Sequence, residues 1–545
     1  MQEAKKQNYL KGAAILAAAS ILGKIGTAVY KIPLVAILGN TGNGYFQTTY
    51  NIYALLLTIS SAGIPVALSR MISSASARGN TALVKRYFSV AMPIFALIGA
   101  AVTLVMFFFA DALAGLINNS LAAPGIRVLA PAVFFSCIIS VYRGYMQGFG
   151  NMTPTAVTQV VEVVCKTAFG IIIAKLLLDM AYDLPLVSAG AILGVTIAAG
   201  LCIPLLVWYK RKHDRTVSPA IGDNESSGAG TALPGRKHVA AQLLKVSIPI
   251  TIGASFLSII TVIDQSVVMG RLQHSLNLSG IEANGFFGIY SKCLNIYNLP
   301  FALIAPISIS IVPAIAAALA GKNSGEAGGI MQSSVKLVYL LAMPACAGII
   351  VLAQPILIAL YNDPEQLTSN IMMILGAASF FVCLQLVTMA ILQANGHERI
   401  AMITIPIGGA VQIVLDYFLV GTPGIGIIGS PFGTLMCFIV ISMLNIVFIM
   451  VKIKDKPKFL GISVKPLLCT AIMAAAAFFT YRLLRGYGPG VIGTGRMAVV
   501  VFLSLTIIVA VVVYIVLIIV TRTITKEDMA LVPKGEKLAK VLRIR

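Results

Sequence analysis

Apolar stretches of about twenty residues recur from Leu10 to Val520, and this recurrence constrains the chain more than any other feature. A segment of that length crosses a hydrocarbon core of about 30 Å as a helix. In lipid every backbone N–H and C=O needs an internal partner, which leaves helices or a closed barrel. The runs are continuous and rich in Ala, Leu, Ile and Val, without the ten-residue alternation of barrel strands. Only 11% of residues are charged, too few for an ordinary soluble core. The expected fold is an all-α polytopic membrane protein of about fourteen transmembrane helices. The spans are expected near 10–38, 45–76, 87–110, 126–148, 152–174, 185–209, 245–270, 286–320, 337–360, 369–394, 400–420, 427–451, 464–481 and 497–521.

The formal charge of +21 invites a nucleic-acid reading, but its placement argues for orientation instead. With the N-terminus inside, most Lys and Arg fall in cytoplasmic segments, including Lys210–Lys212, Lys452–Lys458 and the basic tail. Both termini are expected in the cytoplasm, and the basic segments attract anionic lipid heads weakly. Lys5, Lys6 and Lys11 precede an apolar run that continues to Leu38, which suits a retained first helix rather than a cleaved signal. The eight cysteines are scattered singly in or beside apolar spans, with no metal or disulfide spacing.

One segment, 210–244, is polar and Gly/Ser-rich and reads as a cytoplasmic linker. It separates an N-terminal lobe (1–209) from a second lobe (245–451), followed by a final helix pair and basic tail (452–545). The lobes carry matching marks in matching order. Asn43-Gly44-Tyr45-Phe46 opens span 2 and Asn284-Gly285-Phe286-Phe287 opens span 8; Pro65 and Pro306 follow at equal distances. Met146-Gln147-Gly148-Phe149-Gly150-Asn151 precedes span 5, as Leu392-Gln393-Ala394-Asn395-Gly396-His397 precedes span 11. Gly79-Asn80 and Lys322-Asn323 follow comparable spans. A duplication of six helices is implied, the usual build of secondary transporters.

No phosphate-binding loop, zinc-protease motif or nucleophile elbow is present, so neither ATP drive nor an enzyme is expected. The four histidines fall in loops, where solvated side chains are the plain expectation. The informative residues are charges within apolar helices, each costing about 2.5–3.5 kcal/mol at a helix centre unless it meets a partner or water. Lys24 and Lys31 are two turns apart on span 1 and share a face. With Arg70 on span 2 and Lys292 on span 8 they form a candidate cationic lining for an anionic head group, a phosphate or diphosphate. Snorkelling and local pairing are the structural alternatives, and Arg143 on span 4 invites the same question. Glu162 and Lys166 stand at i and i+4 and read as a structural ion pair. Asp264, Gln412, Asp416 and Thr434 supply hard oxygens for Na⁺, or a titrating carboxylate; an Asp satisfied by neighbouring hydroxyls or water is the alternative.

Several stretches bring a family into view. Tyr9-Leu10-Lys11-Gly12, Leu22-Gly23-Lys24-Ile25-Gly26 and Leu38-Gly39-Asn40-Thr41-Gly42 resemble the first helix of the MOP flippase superfamily. Ile59-Ser60-Ser61-Ala62-Gly63-Ile64-Pro65-Val66-Ala67 with Ser69-Arg70 is similar to its polysaccharide-transport and stage V sporulation protein B branch. Ile413-Val414-Leu415-Asp416-Tyr417-Phe418 before Gly424-Ile425-Gly426 resembles the eleventh-to-twelfth helix signature. Within the branch the chain looks like the Gram-positive MurJ-type lipid II flippases. That resemblance implies fourteen helices in two lobes and outward movement of an undecaprenyl-diphosphate-linked precursor by alternating access. It further implies basic residues on helices 1, 2 and 8, which Lys24, Arg70 and Lys292 match, and a lipid-tail groove from 464–521. The Arg-Asp common next on helix 1 is replaced by Tyr30-Lys31. A sodium site in some members corresponds to Asp264, Gln412, Asp416 and Thr434, with Gln412 in place of an Asn.

Four functions compete on the sequence. A lipid-linked oligosaccharide flippase, lipid II first, uses the cations; the partners would be that glycan and membrane lipids, no nucleic acid, and no second subunit. A cation-coupled multidrug exporter of the same superfamily handles mostly cationic drugs, which a Lys/Arg lining repels. A membrane scaffold or scramblase leaves the buried charges idle. A membrane-embedded glycan polymerase or ligase needs an outer catalytic residue, but Asp111, Asp183, Glu282, Asp363 and Glu365 do not group in sequence. No cofactor is expected beyond Na⁺ or H⁺ as coupling ion.

Overall fold

The structure is a computed structural model that describes residues 2–217, 234–321, 324–487 and 495–523. All the regular structure among them is helical. In chain order the α-helices are α1 (Gln2–Ser61), α2 (Ile64–Ala77), α3 (Thr81–Phe108), α4 (Ala110–Leu116), α5 (Ala123–Gly148), α6 (Thr153–Asp179), α7 (Leu184–Val217) and α8 (Arg236–His274). They continue as α9 (Gly280–Ala320), α10 (Ser324–Val351), α11 (Ala353–Tyr361), α12 (Gln366–Ala394), α13 (Ala401–Val420), α14 (Gly429–Lys452), α15 (Phe459–Tyr487) and α16 (Arg496–Val520). Each expected span falls on helix. Residues 218–233 and most of the tail lie outside the described residues, as does Lys322-Asn323, but the expected 210–244 linker is shorter than the sequence suggests, because 210–217 continue α7 and 236–244 already belong to α8.

Among the described residues, twelve helical stretches are long and apolar enough to cross a membrane. The difference from fourteen has two sources. Gly26–Ala77 counts as one stretch although it holds the first two expected spans. Its 52 residues would run about 78 Å as one straight rod, far more than a bilayer core requires. The bend is at Gly39, whose φ of 63° is a conformation that glycine enters without steric cost. The other source is α6, which is outside the twelve. Large apolar side chains face outward along the bundle, among them Leu97 on α3, Phe479 on α15 and Met497 on α16. That distribution suits a lipid-facing surface, and the chain is a multi-pass membrane protein.

By packing, the chain divides into two compact units, Met1–Gly288 and Ile289–Arg545. This cut lies inside α9, whereas the expected lobes divide at the linker. In the first unit α8 packs against α1, with the Gly63 N–H donating to Thr251 Oγ1 at 3.1 Å. One apolar cluster joins Tyr30, Leu34 and Leu38 of α1 to Ile126, Leu129 and Val133 of α5 and Ile192 of α7. Another joins Ile64, Leu68 and Ile72 of α2 to Phe95 of α3, Tyr145 of α5 and Leu243 of α8. In the second unit the cluster around Val335, Val338, Val387 and Ile391 ties α10 to α12. The α15–α16 pair docks on α10 through Met473, Leu340 and Tyr514, whose hydroxyl donates to the Leu340 carbonyl at 2.8 Å.

The duplicated motifs end their helices identically. After α5, Gly150 N–H bonds to the Gln147 carbonyl and Asn151 N–H to that of Met146, at 2.8 and 3.1 Å. After α12, Gly396 N–H bonds to Gln393 and His397 N–H to Leu392, at 3.0 and 2.9 Å. Both are Schellman terminations, and both glycines have φ of 76°.

Candidate functional site

Most interior charges of the first unit gather where α1, α5 and α6 meet. Gly23 and Gly26 present no side chain, so α1 lies against Val163; a Cβ at Gly26 would stand 2.7 Å from its Cγ1. This closeness puts Lys166 of α6 over α1, and its Nζ donates to Thr27 Oγ1 at 2.9 Å. Thr27 hands its own proton to the Gly23 carbonyl at 2.8 Å. Lys31 is one turn beyond Thr27 and half-buried, with Nζ donating to Gln47 Oε1 at 2.9 Å. Lys24 lies one turn before Thr27 on the same helix face, with its side chain outside the described residues.

Glu162 does not form the expected ion pair with Lys166. Arg143 of α5 reaches it at 3.3 Å and also donates to Thr158 Oγ1 at 3.2 Å. The reason is geometric. Arg offers a fork that two oxygens on one helix face satisfy, while the Lys166 ammonium finds an acceptor across the helix contact. Three cations, Lys31, Lys166 and Arg143, therefore meet Glu162 where α1, α5 and α6 come together, while the buried Asp264 of this unit stands on α8.

The other two expected lining residues are placed differently. Arg70 lies on the exposed face of α2, opposite the buried Ile64, Leu68 and Ile72. Lys292 of α9 is 2% exposed and forms an ion pair with Asp363, in the connection between α11 and α12. Asp363 also accepts from the Glu365 N–H and the Thr368 hydroxyl at 2.9 and 3.0 Å. Burial pushes the Asp363 carboxyl up, but the bonds from Lys292, Glu365 and Thr368 outweigh it and hold it below the usual carboxylate range.

Of the expected ion-coupling residues, Asp264 belongs to the first unit and Gln412, Asp416 and Thr434 to the second. The last three converge where α13 meets α14. Gln412 Nε2 donates to Thr434 Oγ1 at 3.4 Å, and Thr434 also bonds the Tyr290 hydroxyl at 2.8 Å. Asp416 is fully buried with its carboxylate on the bare backbone of Gly433, where a Cβ would stand 2.0 Å from Oδ1. Ser430, one turn before Thr434, is also fully buried, and its hydroxyl has no hydrogen-bond partner among the described residues. One carboxylate among hydroxyl and amide oxygens fits a monovalent hard cation. No cluster of three His, Cys, Asp or Glu exists among the described residues to cage a transition metal.

Residues 9–319 match the family described as "Polysaccharide biosynthesis protein", and residues 249–418 match the MatE family. The first match covers more than half of the chain, which therefore belongs to the polysaccharide biosynthesis protein family of the MOP flippase superfamily. Over 551 residues it is 26% identical to the Bacillus subtilis (strain 168) uncharacterized membrane protein YabM, covering 99% of this chain and 98% of the relative. Stage V sporulation protein B of the same organism is 24% identical, with 81% of this chain and 83% of the relative covered. Its lipid II flippase MurJ is 26% identical, with 75% and 77% covered. Among solved structures, one titled as lipid II flippase MurJ in an inward closed conformation superposes with a TM-score of 0.66 at 16% identity, over 92% of this chain and 98% of that one. An inward-facing multidrug resistance MATE transporter superposes with a TM-score of 0.62 at 16% identity, over 80% of this chain and 97% of that one. The chain is a flippase or transporter of this superfamily and not an enzyme.

Sequence reasoning gave Lys166 and Arg143 only local roles and did not pair Asp363 with Lys292. Gln47 and Asn51, at i and i+4 inside span 2, were a legible signal for polar chemistry near Lys31. An amide in an apolar helix needs a partner as surely as a charge does.

Proposed function

We propose that this chain flips an anionic lipid-linked glycan, lipid II first, across the bacterial cytoplasmic membrane. The observation that carries the reading is the surplus of Lys31, Lys166 and Arg143 over Glu162 inside apolar helices. Interior cations are expensive unless a ligand's charge answers them, and a diphosphate supplies that charge. Lys24 extends the same face of α1. Arg70 joins the site only if it turns inward, and Lys292 could meet a substrate only by leaving Asp363. The kinship with a lipid II flippase supports the substrate class, and the diphosphate is common to other undecaprenyl-linked glycans.

The cycle is alternating access between the lobes 1–209 and 245–451, by a monomer with both termini in the cytoplasm. Gln412, Asp416 and Thr434 are the residues of the second unit that would hold Na⁺ or a coupling proton, and Asp264 is a separate titratable carboxylate of the first. A bound cation there would neutralise the buried Asp416 carboxylate.

A second reading, a multidrug exporter, draws on the MatE match over 249–418. Its largely cationic cargo is disfavoured by the charge sign of the first unit. Proteoliposomes separate the two. The flippase reading expects a labelled undecaprenyl-diphosphate sugar to exchange leaflets with wild-type protein and not with Lys31→Ala or Lys166→Ala. Transport of a cationic dye with no movement of the lipid would sink it.

A further inference from the structure

A series of side-chain hydrogen bonds leaves Lys31 and runs through the first unit. Lys31 Nζ donates to Gln47 Oε1 (2.9 Å), Gln47 Nε2 to Asn51 Oδ1 (2.8 Å), Asn51 Nδ2 to Gln265 Oε1 (2.7 Å) and Gln265 Nε2 to Thr48 Oγ1 (2.5 Å). Thr48 passes its proton to the Gly44 carbonyl (2.9 Å) and accepts again from Asn119 Nδ2 (2.8 Å). Asn119 and Asn284 then exchange a reciprocal amide pair at 2.7 and 2.9 Å. The other Asn284 N–H goes to the Gly280 carbonyl at 2.7 Å.

From Gln47 to Gln265 each amide oxygen receives from the group before it, and each NH₂ gives to the group after it. The direction is set at the start, because an ammonium has three donors and no acceptor. Thr48 uses its one proton and accepts twice, so the hydroxyl has no capacity to spare. Thr48, Asn119, Gln265 and Asn284 are all between 0 and 2% exposed. Breaking one link would leave buried polar groups unsatisfied along the rest.

The far end of the series is a contact between backbones. A Cβ at Gly288 would stand 1.7 Å from the Asn40 carbonyl oxygen, and one at Gly44 would stand 2.3 Å from that of Asn284. Asn43 Nδ2 donates to the Gly288 carbonyl at 2.9 Å. The duplicated Asn-Gly motifs, Asn43-Gly44 and Asn284-Gly285, thus pack on each other where α1 meets the start of α9.

We propose that Gln47, Asn51 and Gln265 are positioning residues for Lys31, and that through them the occupancy of Lys31 sets the tightness of the Asn119–Asn284 clasp. At its input the inference rests on the anion reading above. An anion that draws the Lys31 ammonium toward itself pulls the donor away from Gln47 Oε1. Turning the Gln47 amide so that its NH₂ faces the anion sets Oε1 against Asn51 Oδ1, and the mismatch passes through Gln265 to Thr48 and Asn119. Filling the site then loosens the contact between α1 and α9.

The test is amide hydrogen exchange of the full chain in lipid nanodiscs, read at residues 280–288, with 505–515 of α16 as the internal control. Loss of an interhelical hydrogen bond should accelerate exchange about three- to tenfold at 280–288 in Lys31→Met and in Gln265→Leu. The double variant should exchange no faster than either single variant, and Lys31→Arg, which keeps the donor, should match wild type. Inorganic pyrophosphate should accelerate exchange at 280–288 in wild type and not in Gln265→Leu. Unchanged exchange in Lys31→Met, additive single effects, or an equal rise in 505–515 would overturn the proposal. If the substitutions behave as expected and pyrophosphate does nothing to wild type, the relay stands and the anion reading falls.

Discussion

The Lys292–Asp363 pair illustrates why position alone does not assign a role to an interior charge. The two groups are 2% and 8% exposed, and the carboxylate is further held by a backbone N–H and a hydroxyl. Removing one member strands a buried charge, so Asp363→Ala should cost about 3–5 kcal/mol, while an apolar replacement of both members should cost far less. Thermal unfolding of Asp363→Ala beside the double variant Lys292→Met/Asp363→Leu checks this. If the double variant regains stability but not lipid transport, Lys292 also serves the substrate. If it regains both, the pair is structural. The pH dependence follows from the depressed Asp363 pKa. Its stabilisation is complete above the unfolded value of about 3.9 and is lost as pH falls through the lower folded value. Unfolding midpoints should therefore be insensitive to Asp363→Asn only in strong acid. Sequence could not pair these residues, since 71 positions separate them and only the fold brings the α11–α12 connection to α9. Glu162 misled for the opposite reason: a partner four residues away was in plain view, and Arg143 on another helix took it.

At the scale of elements, glycine does two different jobs. Gly150 and Gly396 end α5 and α12 with positive φ and open space around the missing Cβ. Replacing Gly396 by Ala should cost only about 1 kcal/mol of backbone strain. At Gly44 and Gly288 the missing Cβ is what permits α1 and α9 to touch. There Gly288→Ala should cost at least the 1–3 kcal/mol typical of overpacking, with a loss of transport that Gly396→Ala does not share. Measuring unfolding and lipid movement for both variants distinguishes the two jobs. The motif repeat makes these elements legible in the sequence, because Asn-Gly and the Gln-x-x-Gly terminations recur in order. What the repeat did not tell was that two copies of one motif pack against each other.

For the whole molecule, the apolar periodicity carried nearly all of the architecture. Bilayer thickness fixes helix length so tightly that each expected span falls on helix, and the one merged pair is broken at Gly39, where the sequence placed a loop. The candidate site was only half legible. The sequence offers Lys31 as a cavity lysine, and its ammonium reaches Gln47, whereas Lys166 and Arg143 look local in sequence because their partners lie on other helices. The central claim is that these cations answer the charge of a lipid-linked diphosphate. Its most direct test is complementation of a lipid II flippase depletion strain by wild-type protein, Lys31→Ala, Lys166→Ala and Lys166→Arg, with membrane expression matched. The account predicts growth with wild type and Lys166→Arg and none with the two alanine variants. Growth with all four would contradict the role of the cations, and no growth with well-expressed wild type would contradict lipid II as the cargo.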